Sequence, residues 1–219
     1  KEYDIMDQDI EIINTNTRNE KIKNFFINYK KQLITILAAI ILGLFSFFFY
    51  EEFKSSKKEE LANKYNLAVI NFNADQKENI DIVFKEIIKA KDKTYSPLAF
   101  YFLFDNGMVN SKDDINSYFD ILINEVGLDK EIKNLTIYKK GLYNSDFADE
   151  NQLLNILNPV IKSKSIWKPH ALYLMAEYYL AKNQKQKSKE FFNQIVVLEK
   201  ISSKIKLKAQ KRLRSDFSE

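Results

Sequence analysis

A run of eighteen uncharged residues, 33–50, constrains this chain more than any other feature. It reads LITILAAIILGLFSFFFY, and the hydroxyls of Thr35 and Ser46 can bond back to the backbone of a helix. Eighteen helical residues rise about 27 Å, which is close to the roughly 30 Å hydrocarbon core of a bilayer. A chain of 219 residues is too small to bury a helix that is apolar on every face. The run is therefore predicted to be a transmembrane helix.

The features around the run favour an uncleaved signal anchor over a signal peptide. The apolar stretch is longer than the usual ~7–15 residue hydrophobic region of a signal peptide. No small-x-small cleavage site follows it, because the run ends in Phe-Phe-Phe-Tyr-Glu-Glu. We therefore predict three parts, namely an N-terminal arm (1–32), the anchor (33–50) and a C-terminal domain (51–219).

Charge gives the anchor a weak orientation. Five basic residues lie in the fifteen positions before Gln32, and four lie in the fifteen after Tyr50. Long domains cross the membrane largely regardless of their charge, so the short arm is expected on the cytoplasmic side. In a bacterium this predicts a single-pass inner-membrane protein whose domain 51–219 is periplasmic. The absence of cysteine fits an oxidising compartment and excludes a thiolate metal site.

The C-terminal domain contains a repeated apolar pattern. Four quartets share the offsets 0, 12, 16 and 19, and their first members are 35, 38 and 35 residues apart. The quartets are Ala68, Ile80, Phe84, Ile87; Leu103, Ile115, Phe119, Leu122; Gly141, Leu153, Leu157, Val160; and Ala176, Ser188, Phe192, Ile195. This period is typical of paired-helix repeats, in which no single pair can bury its apolar face alone. An all-α fold is predicted.

Turn residues place the helix boundaries. Three segments carry capping-box spacing at the start of the second helix of a pair, namely 75–78, 111–114 and 149–152. The predicted pairs are 57–72/76–91, 97–107/112–125, 130–144/150–163 and 169–182/185–199, followed by a capping helix near 202–214.

Three prolines refine these boundaries. Pro97 and Pro169 are each predicted at the first position of a helix, where no N–H is needed. Pro159 lies inside a predicted helix and is expected to kink it or end it near Asn158.

No catalytic constellation is present in the sequence. His170 is the only histidine, so a histidine pair cannot hold a metal, and a Cys–His dyad is impossible without cysteine. His170 is expected to be a surface residue at a helix N-terminus. Four isolated glycines cannot form a phosphate-binding loop. The chain is expected to be no enzyme and to use no cofactor or metal.

The last predicted helix is basic. Its cations are Lys204, Lys206, Lys208, Lys211, Arg212 and Arg214. Residues 201, 205, 209 and 213 form an apolar stripe between them, which predicts a core-facing side and a solvated basic side. A contact of the cations with anionic lipid or with an acidic partner stays open as an alternative, and nucleic-acid binding is not expected.

The fourth pair resembles the tetratricopeptide repeat. The residues that carry the resemblance are Leu172, Met175, Ala176, Tyr179, Ser188, Phe192 and Ile195. Leu172 stands where this family usually has Trp, and Ile195 where it usually has a small residue. An aromatic precedes the first member of every quartet by three residues, at Tyr65, Phe100, Tyr138 and Tyr173. In tetratricopeptide arrays this position lines a concave groove for partners, and ordinary packing between helices is the alternative.

The whole layout resembles the bacterial tetratricopeptide-repeat-like family of ancillary SecYEG translocon subunits. The resemblance rests on an arm that ends in Tyr29-Lys30-Lys31, one anchor, degenerate repeats, and the segments 165–171 and 208–213. It implies a cytoplasmic N-terminus and periplasmic repeats beside the translocon and periplasmic chaperones.

The expected function is that of a non-enzymatic, membrane-tethered interaction protein that links exported clients to chaperones. The expected partners are translocon subunits, periplasmic chaperones or exported clients, and the lipid bilayer through residues 33–50. Two alternatives stay open. One is a scaffold for a respiratory, cytochrome or division complex, and the other is a reversed topology with a cytoplasmic repeat adaptor.

Overall fold

The described part of the chain is entirely helical. A computed structural model describes residues 2–73, 79–199 and 201–217, and these residues form helices without any strand. The helices are α1 Glu2–Asn73, α2 Ile80–Lys89, α3 Tyr95–Asp105, α4 Lys112–Asn124, α5 Lys130–Asn144, α6 Glu150–Ile161, α7 Lys168–Ala181, α8 Lys185–Val196 and α9 Ser203–Asp216. The predicted all-α class is confirmed.

The chain divides into two compact units between Glu59 and Glu60. The first unit contains the N-terminal part of α1, which includes a segment long and apolar enough to cross a membrane. None of the side chains in that apolar window is buried. Thr35 Oγ1 donates to the Lys31 carbonyl at 2.9 Å, so its hydroxyl is satisfied within the helix as predicted.

The second unit begins with residues 60–73 of α1 and contains α2–α9. Neighbouring helices in it run antiparallel, as two contacts between α4 and α5 illustrate. Asn116 exchanges hydrogen bonds with Asn144 at 3.2 and 2.8 Å, whereas Lys140 reaches back to Asp120 at 2.7 Å. The contacts of α2 with α3 and of α7 with α8 have the same antiparallel order, so the unit is a series of up-and-down helices.

The sixteen residues of the repeated quartets are all buried. Fourteen of them, all except Gly141 and Ser188, lie in three apolar clusters that together form the core of the second unit. At Gly141 the helices approach so closely that an added Cβ would lie 2.4 Å from Leu157 Cδ2. The offsets seen in the sequence therefore mark the positions where paired helices contact each other.

Two of the predicted helix caps are confirmed. Ser111 Oγ accepts from the Asp114 amide at 3.2 Å, and Asp149 accepts from the Gln152 amide at 2.8 Å. The Gln152 side chain accepts in return from the Asp149 amide at 3.1 Å, which completes a capping box. The segment predicted to cap α2, at 75–78, lies outside the described residues, and α2 begins at Ile80.

The proline predictions need correction. Helix α3 begins at Tyr95, because Asp92 accepts from the Tyr95 amide at 2.8 Å, so Pro97 occupies the third helical position. Pro169 occupies the second position of α7. Pro159 does not end α6 near Asn158: the helix continues to Ile161. A proline removes only its own N–H bond, and the Lys162 amide still donates to the Asn158 carbonyl at 3.0 Å.

Candidate partner-binding and membrane-facing surfaces

Of the four aromatic residues predicted to line a groove, Phe100 belongs to the core. Its side chain is fully buried, and its ring lies 4.7 Å from that of Phe119 and 6.0 Å from that of Tyr118. A partner cannot reach it, so the prediction of a groove position is wrong for Phe100. The physical reason is that α3 is apolar on most of its surface and lies between neighbouring helices.

Tyr65 and Tyr173 are half-buried and pack between helices. The Tyr65 ring lies 5.6 Å from Phe84, and the Tyr173 ring lies 5.3 Å from Phe192. Burial raises the pKa of both phenols. These contacts agree with the alternative of ordinary packing between helices. Each side chain is nevertheless partly exposed.

Tyr138 joins an aromatic cluster at the start of α7. Its ring stacks on Trp167 at 5.9 Å with an angle of 19°, and meets the edge of His170 at 5.9 Å. Burial raises the pKa of Tyr138. His170 is half-buried in this cluster, and its Nδ1 is buried without a hydrogen-bond partner among the described residues. The predicted position of His170 at a helix N-terminus is confirmed, since it is the third residue of α7, but its side chain packs against two aromatic rings and is only partly exposed.

An apolar cleft of about 600 Å³ lies beside this cluster. The α6–α7 loop and the start of α7 form one wall, and the α8–α9 connection and the start of α9 form the other. Its main apolar side chains are Ile166, Trp167, Leu198, Ile201 and Ile205. Sequence reasoning did not identify this cleft, although the hydrophobic pair 166–167 between lysines was a visible signal.

The loop that carries Ile166 is held in place by hydrogen bonds. Ser165 Oγ donates to Glu131 Oε2 at 2.7 Å, and the Ile166 amide donates to the same oxygen at 3.3 Å. The Trp167 amide donates to Ser165 Oγ at 3.1 Å. Ile166 is nevertheless 69% exposed, so the loop presents a bulky aliphatic side chain to its surroundings.

A second cleft, of about 460 Å³, lies where α4, α5 and α6 meet. Seven of its ten lining residues are polar, including the Asn116–Asn144 pair, and we call it the polar cleft. Phe147 is 41% exposed at its rim, and the Lys112 ammonium lies 4.0 Å from the centre of its ring. An exposed aromatic beside amide groups can contact a polypeptide partner through both apolar area and hydrogen bonds.

The basic helix α9 packs against the rest of the second unit through its apolar stripe, as predicted. Ile205 and Ala209 are buried, whereas Ile201 and Leu213 are half-buried. One cation departs from the prediction of a solvated side. Arg212 Nε donates to Glu177 Oε1 at 2.7 Å, and a second guanidinium nitrogen contacts the other carboxylate oxygen. Hydrogen bonding to Glu177 raises the pKa of Arg212, and this pair joins α9 to α7.

Among the residues that the structure describes, no group of three or more His, Asp or Glu side chains could hold a metal ion. No protein-family model matches the chain, and searches of curated proteins and of solved structures also found no match.

Proposed function

We propose that this chain is a membrane-tethered, non-enzymatic protein-interaction protein whose helix pairs form a tetratricopeptide-repeat-like array. The observation that carries the proposal is that the residues at the same four offsets are buried in four successive helix pairs. Stacked helix pairs with a shared core expose extended surfaces on which partners bind. The same chain carries a helix able to cross a membrane.

The anchor gives such an array a mechanism. A tether confines the array to one surface and raises its effective concentration toward partners on the same membrane. A weak contact at an exposed aromatic such as Phe147 then suffices for frequent encounters.

More specifically, we propose an ancillary subunit of the Sec translocon that passes exported clients to periplasmic chaperones. The N-terminal arm is cytoplasmic and residues 51–219 are periplasmic in this proposal. Its support is the resemblance of the arm, the anchor and the segment 165–171 to that family. Segment 165–171 forms part of the wall of the apolar cleft.

Topology is tested first. Alkaline phosphatase, which is active only outside the cytoplasm, is fused after Glu219, and a fluorescent protein that matures in the cytoplasm is fused at the same place in a second version. We expect phosphatase activity from the first fusion. Fluorescence from the second together with inactive phosphatase would exclude the export function.

Partners are tested by photocrosslinking in whole cells. A photoreactive phenylalanine analogue replaces Phe147 at the rim of the polar cleft, and Tyr173 serves as a second position. The control is the fully buried Phe119. We expect translocon subunits, chaperones or exported clients from the exposed position and none of them from the control. Capture of respiratory, cytochrome or division proteins alone would overturn the translocon assignment.

A further inference from the structure

Four connections between the helix pairs lie on one edge of the second unit. We call it the basic edge, and it consists of residues 89–98, 125–133, 162–168, 197–199 and 201–204. Contacts link each connection to the next. Lys91 forms an ion pair with Glu125 at 2.5 Å, Glu131 accepts from Ser165 at 2.7 Å, and the apolar cleft joins the last two connections.

The chain enters the second unit at this same edge. Glu60 is the first residue of the unit, and Tyr65 follows one turn later. The Tyr65 ring lies 6.0 Å from Tyr95 at the start of α3, whereas Phe72 lies 5.1 Å from Phe102 further along that helix. Residues 60–73 therefore run parallel to α3, and their first turn lies beside the first of the four connections.

The length of chain between the anchor and the basic edge is short. Glu60 lies ten positions after Tyr50, the last residue of the apolar run. Ten residues span about 15 Å as a helix and at most about 36 Å when fully extended. If residues 33–50 cross a bilayer, this length of chain allows the basic edge to reach the bilayer surface.

The chemistry of the edge suits an anionic membrane surface. Its described residues include nine lysines and five carboxylates. The lysines are Lys89, Lys91, Lys93, Lys130, Lys133, Lys162, Lys164, Lys168 and Lys204, and the carboxylates are Asp92, Glu125, Asp129, Glu131 and Glu199. Three of the carboxylates are engaged locally. Asp92 accepts from the Thr94 and Tyr95 amides, Glu131 accepts from the 165–166 loop, and Glu125 pairs with Lys91.

Each connection or the helix turn that follows it also exposes one aliphatic side chain. Leu98 is 44% exposed, Ile132 48%, Ile166 69% and Val197 77%. Trp167 stands beside Ile166, and tryptophan is enriched at the membrane–water interface. Lysines interspersed with exposed aliphatic side chains are typical of surfaces that bind lipid headgroups and insert shallowly among acyl chains.

The opposite edge has a different balance of charge. Its described residues within 79–82, 105–114, 144–150 and 182–187 include seven carboxylates and four lysines. The carboxylates are Asp81, Asp105, Asp113, Asp114, Asp146, Asp149 and Glu150, and the lysines are Lys112, Lys182, Lys185 and Lys187. Between these two sets of connections, the positive excess therefore lies at the edge where the chain enters.

We propose that the basic edge docks on an anionic phospholipid bilayer, with Ile166 and its neighbours at the level of the headgroups. This inference rests on the membrane anchor of the proposed function but requires no protein partner. Docking would hold the helix pairs against the membrane and leave the opposite edge, with Phe147 and the polar cleft, free for partners.

The test uses the full chain in lipid nanodiscs. Since the sequence has no cysteine, Ile166→Cys carries a single fluorescent label, and Phe147→Cys on the opposite edge is the control. Discs contain either pure phosphatidylcholine or phosphatidylcholine with phosphatidylglycerol, and nitroxide-labelled lipid quenches a label that contacts the bilayer. Val197→Cys repeats the measurement at a second connection, and circular dichroism confirms that each variant is helical.

We expect quenching at positions 166 and 197 in anionic discs, little quenching in neutral discs, and none at position 147. Raised salt should reverse the quenching, because screening weakens attraction at a surface. Each lysine near an anionic surface contributes about a fivefold factor. Lys162→Gln, Lys164→Gln and Lys168→Gln together should lower the docked fraction relative to the undocked by about 10²-fold.

The matched control replaces Lys182, Lys185 and Lys189 by Gln, which changes the net charge equally and should leave quenching intact. Equal quenching at position 166 in both kinds of disc overturns the proposal, as does protection of that label only after a protein partner is added. Crosslinking at Phe147 is scored separately, so the failure of one proposal is distinguishable from the failure of the other.

Discussion

Leucine, isoleucine and phenylalanine side chains meet different surroundings in the two units. In the first unit, the apolar run exposes its side chains around the whole helix, and Phe49 is 74% exposed. In the second unit, the same residue types recur at positions that face neighbouring helices, and Phe84, Phe119 and Phe192 are at most 1% exposed. The spacing of apolar residues, more than their number, therefore decides whether a helix needs lipid or another helix around it.

The largest expected effect comes from charging the anchor. Each arginine at the centre of a spanning helix costs about 2.5–3.5 kcal/mol of insertion free energy. We expect Ile41→Arg with Leu42→Arg to move the chain from the membrane to the soluble fraction, measured by sedimentation after an alkaline carbonate wash. Ile41→Leu is the control and should stay in the membrane. Retention of the double variant would contradict the assignment of the anchor.

Truncation of a buried aromatic side chain should strongly lower the stability of the second unit. Phe192 is fully buried and packs against Tyr173 and Phe217 at ring distances of 5.3 and 6.1 Å. Phe192→Ala should lower the free energy of unfolding by about 3–5 kcal/mol, measured by urea denaturation. Leu207→Ala, at a position that is 59% exposed, should change it by less than about 0.5 kcal/mol. Similar losses at both positions would show that α8 does not pack as described.

Two glycines make the comparison sharper. An added Cβ at Gly43 in the anchor meets nothing within 4 Å, whereas one at Gly141 lies 2.4 Å from Leu157 Cδ2. Gly141→Ala gains about 1 kcal/mol of helix propensity and loses about 1–3 kcal/mol to overpacking, so we expect a net loss of about 1 kcal/mol. Denaturant unfolding of a double-mutant cycle with Leu157→Ala checks this value.

In that cycle the added methyl should no longer be destabilising once Leu157 is shortened. Gly43→Ala should leave membrane insertion unchanged. If Gly141→Ala is still destabilising in the Leu157→Ala background, the close approach of α5 and α6 is not its cause.

The smallest expected effect is a loss of stability at alkaline pH, caused by ionisation of Tyr179. Burial and the hydrogen bond to Glu150 raise the pKa of Tyr179 well above its ordinary value near 10. A group whose pKa is higher in the folded state contributes its full stability below the unfolded value and loses it as pH rises. Thermal melts should therefore show a loss of about 1 kcal/mol from Tyr179 by pH 11.

The variant Tyr179→Phe lacks the titrating phenol. Its melting temperature should fall less steeply between pH 10 and pH 11 than that of the unaltered chain, whatever its stability at pH 8. Parallel slopes for the two proteins would mean that other groups govern the alkaline transition.

Periodic features were predictable from the sequence, and features that depend on contacts between distant residues were not. The helix pairs, their offsets and two caps follow from spacing within about twenty residues. The burial of Phe100 was not predictable from its offset, because it depends on contacts with the rings of Tyr118 and Phe119 on α4. The continuation of α6 past Pro159 depends on hydrogen bonds to either side of the proline, which its propensity alone does not reveal.

The apolar cleft and the basic helix α9 also depend on contacts that the sequence did not predict. Lys164, Ile166 and Trp167 are neighbours in sequence, but the cleft beside them also needs Leu198 and Ile205 from more than thirty residues away. Likewise, the pairing of Arg212 with Glu177 across 35 residues changed the role of one cation from solvated to structural. The repeat period predicted that such residues could meet but not which pairs would form bonds.

The amino-acid pattern alone was sufficient for a helix long and apolar enough to span a membrane, for the all-helical class and for the repeated core positions, because hydrophobic periodicity is a local property of the chain. The packing of the helices decided which aromatic rings are accessible, where the clefts lie and how the connections assemble into one basic edge. These features depend on the directions of side chains from several helices at once, and the directions are fixed only when each helix has packed against its neighbours.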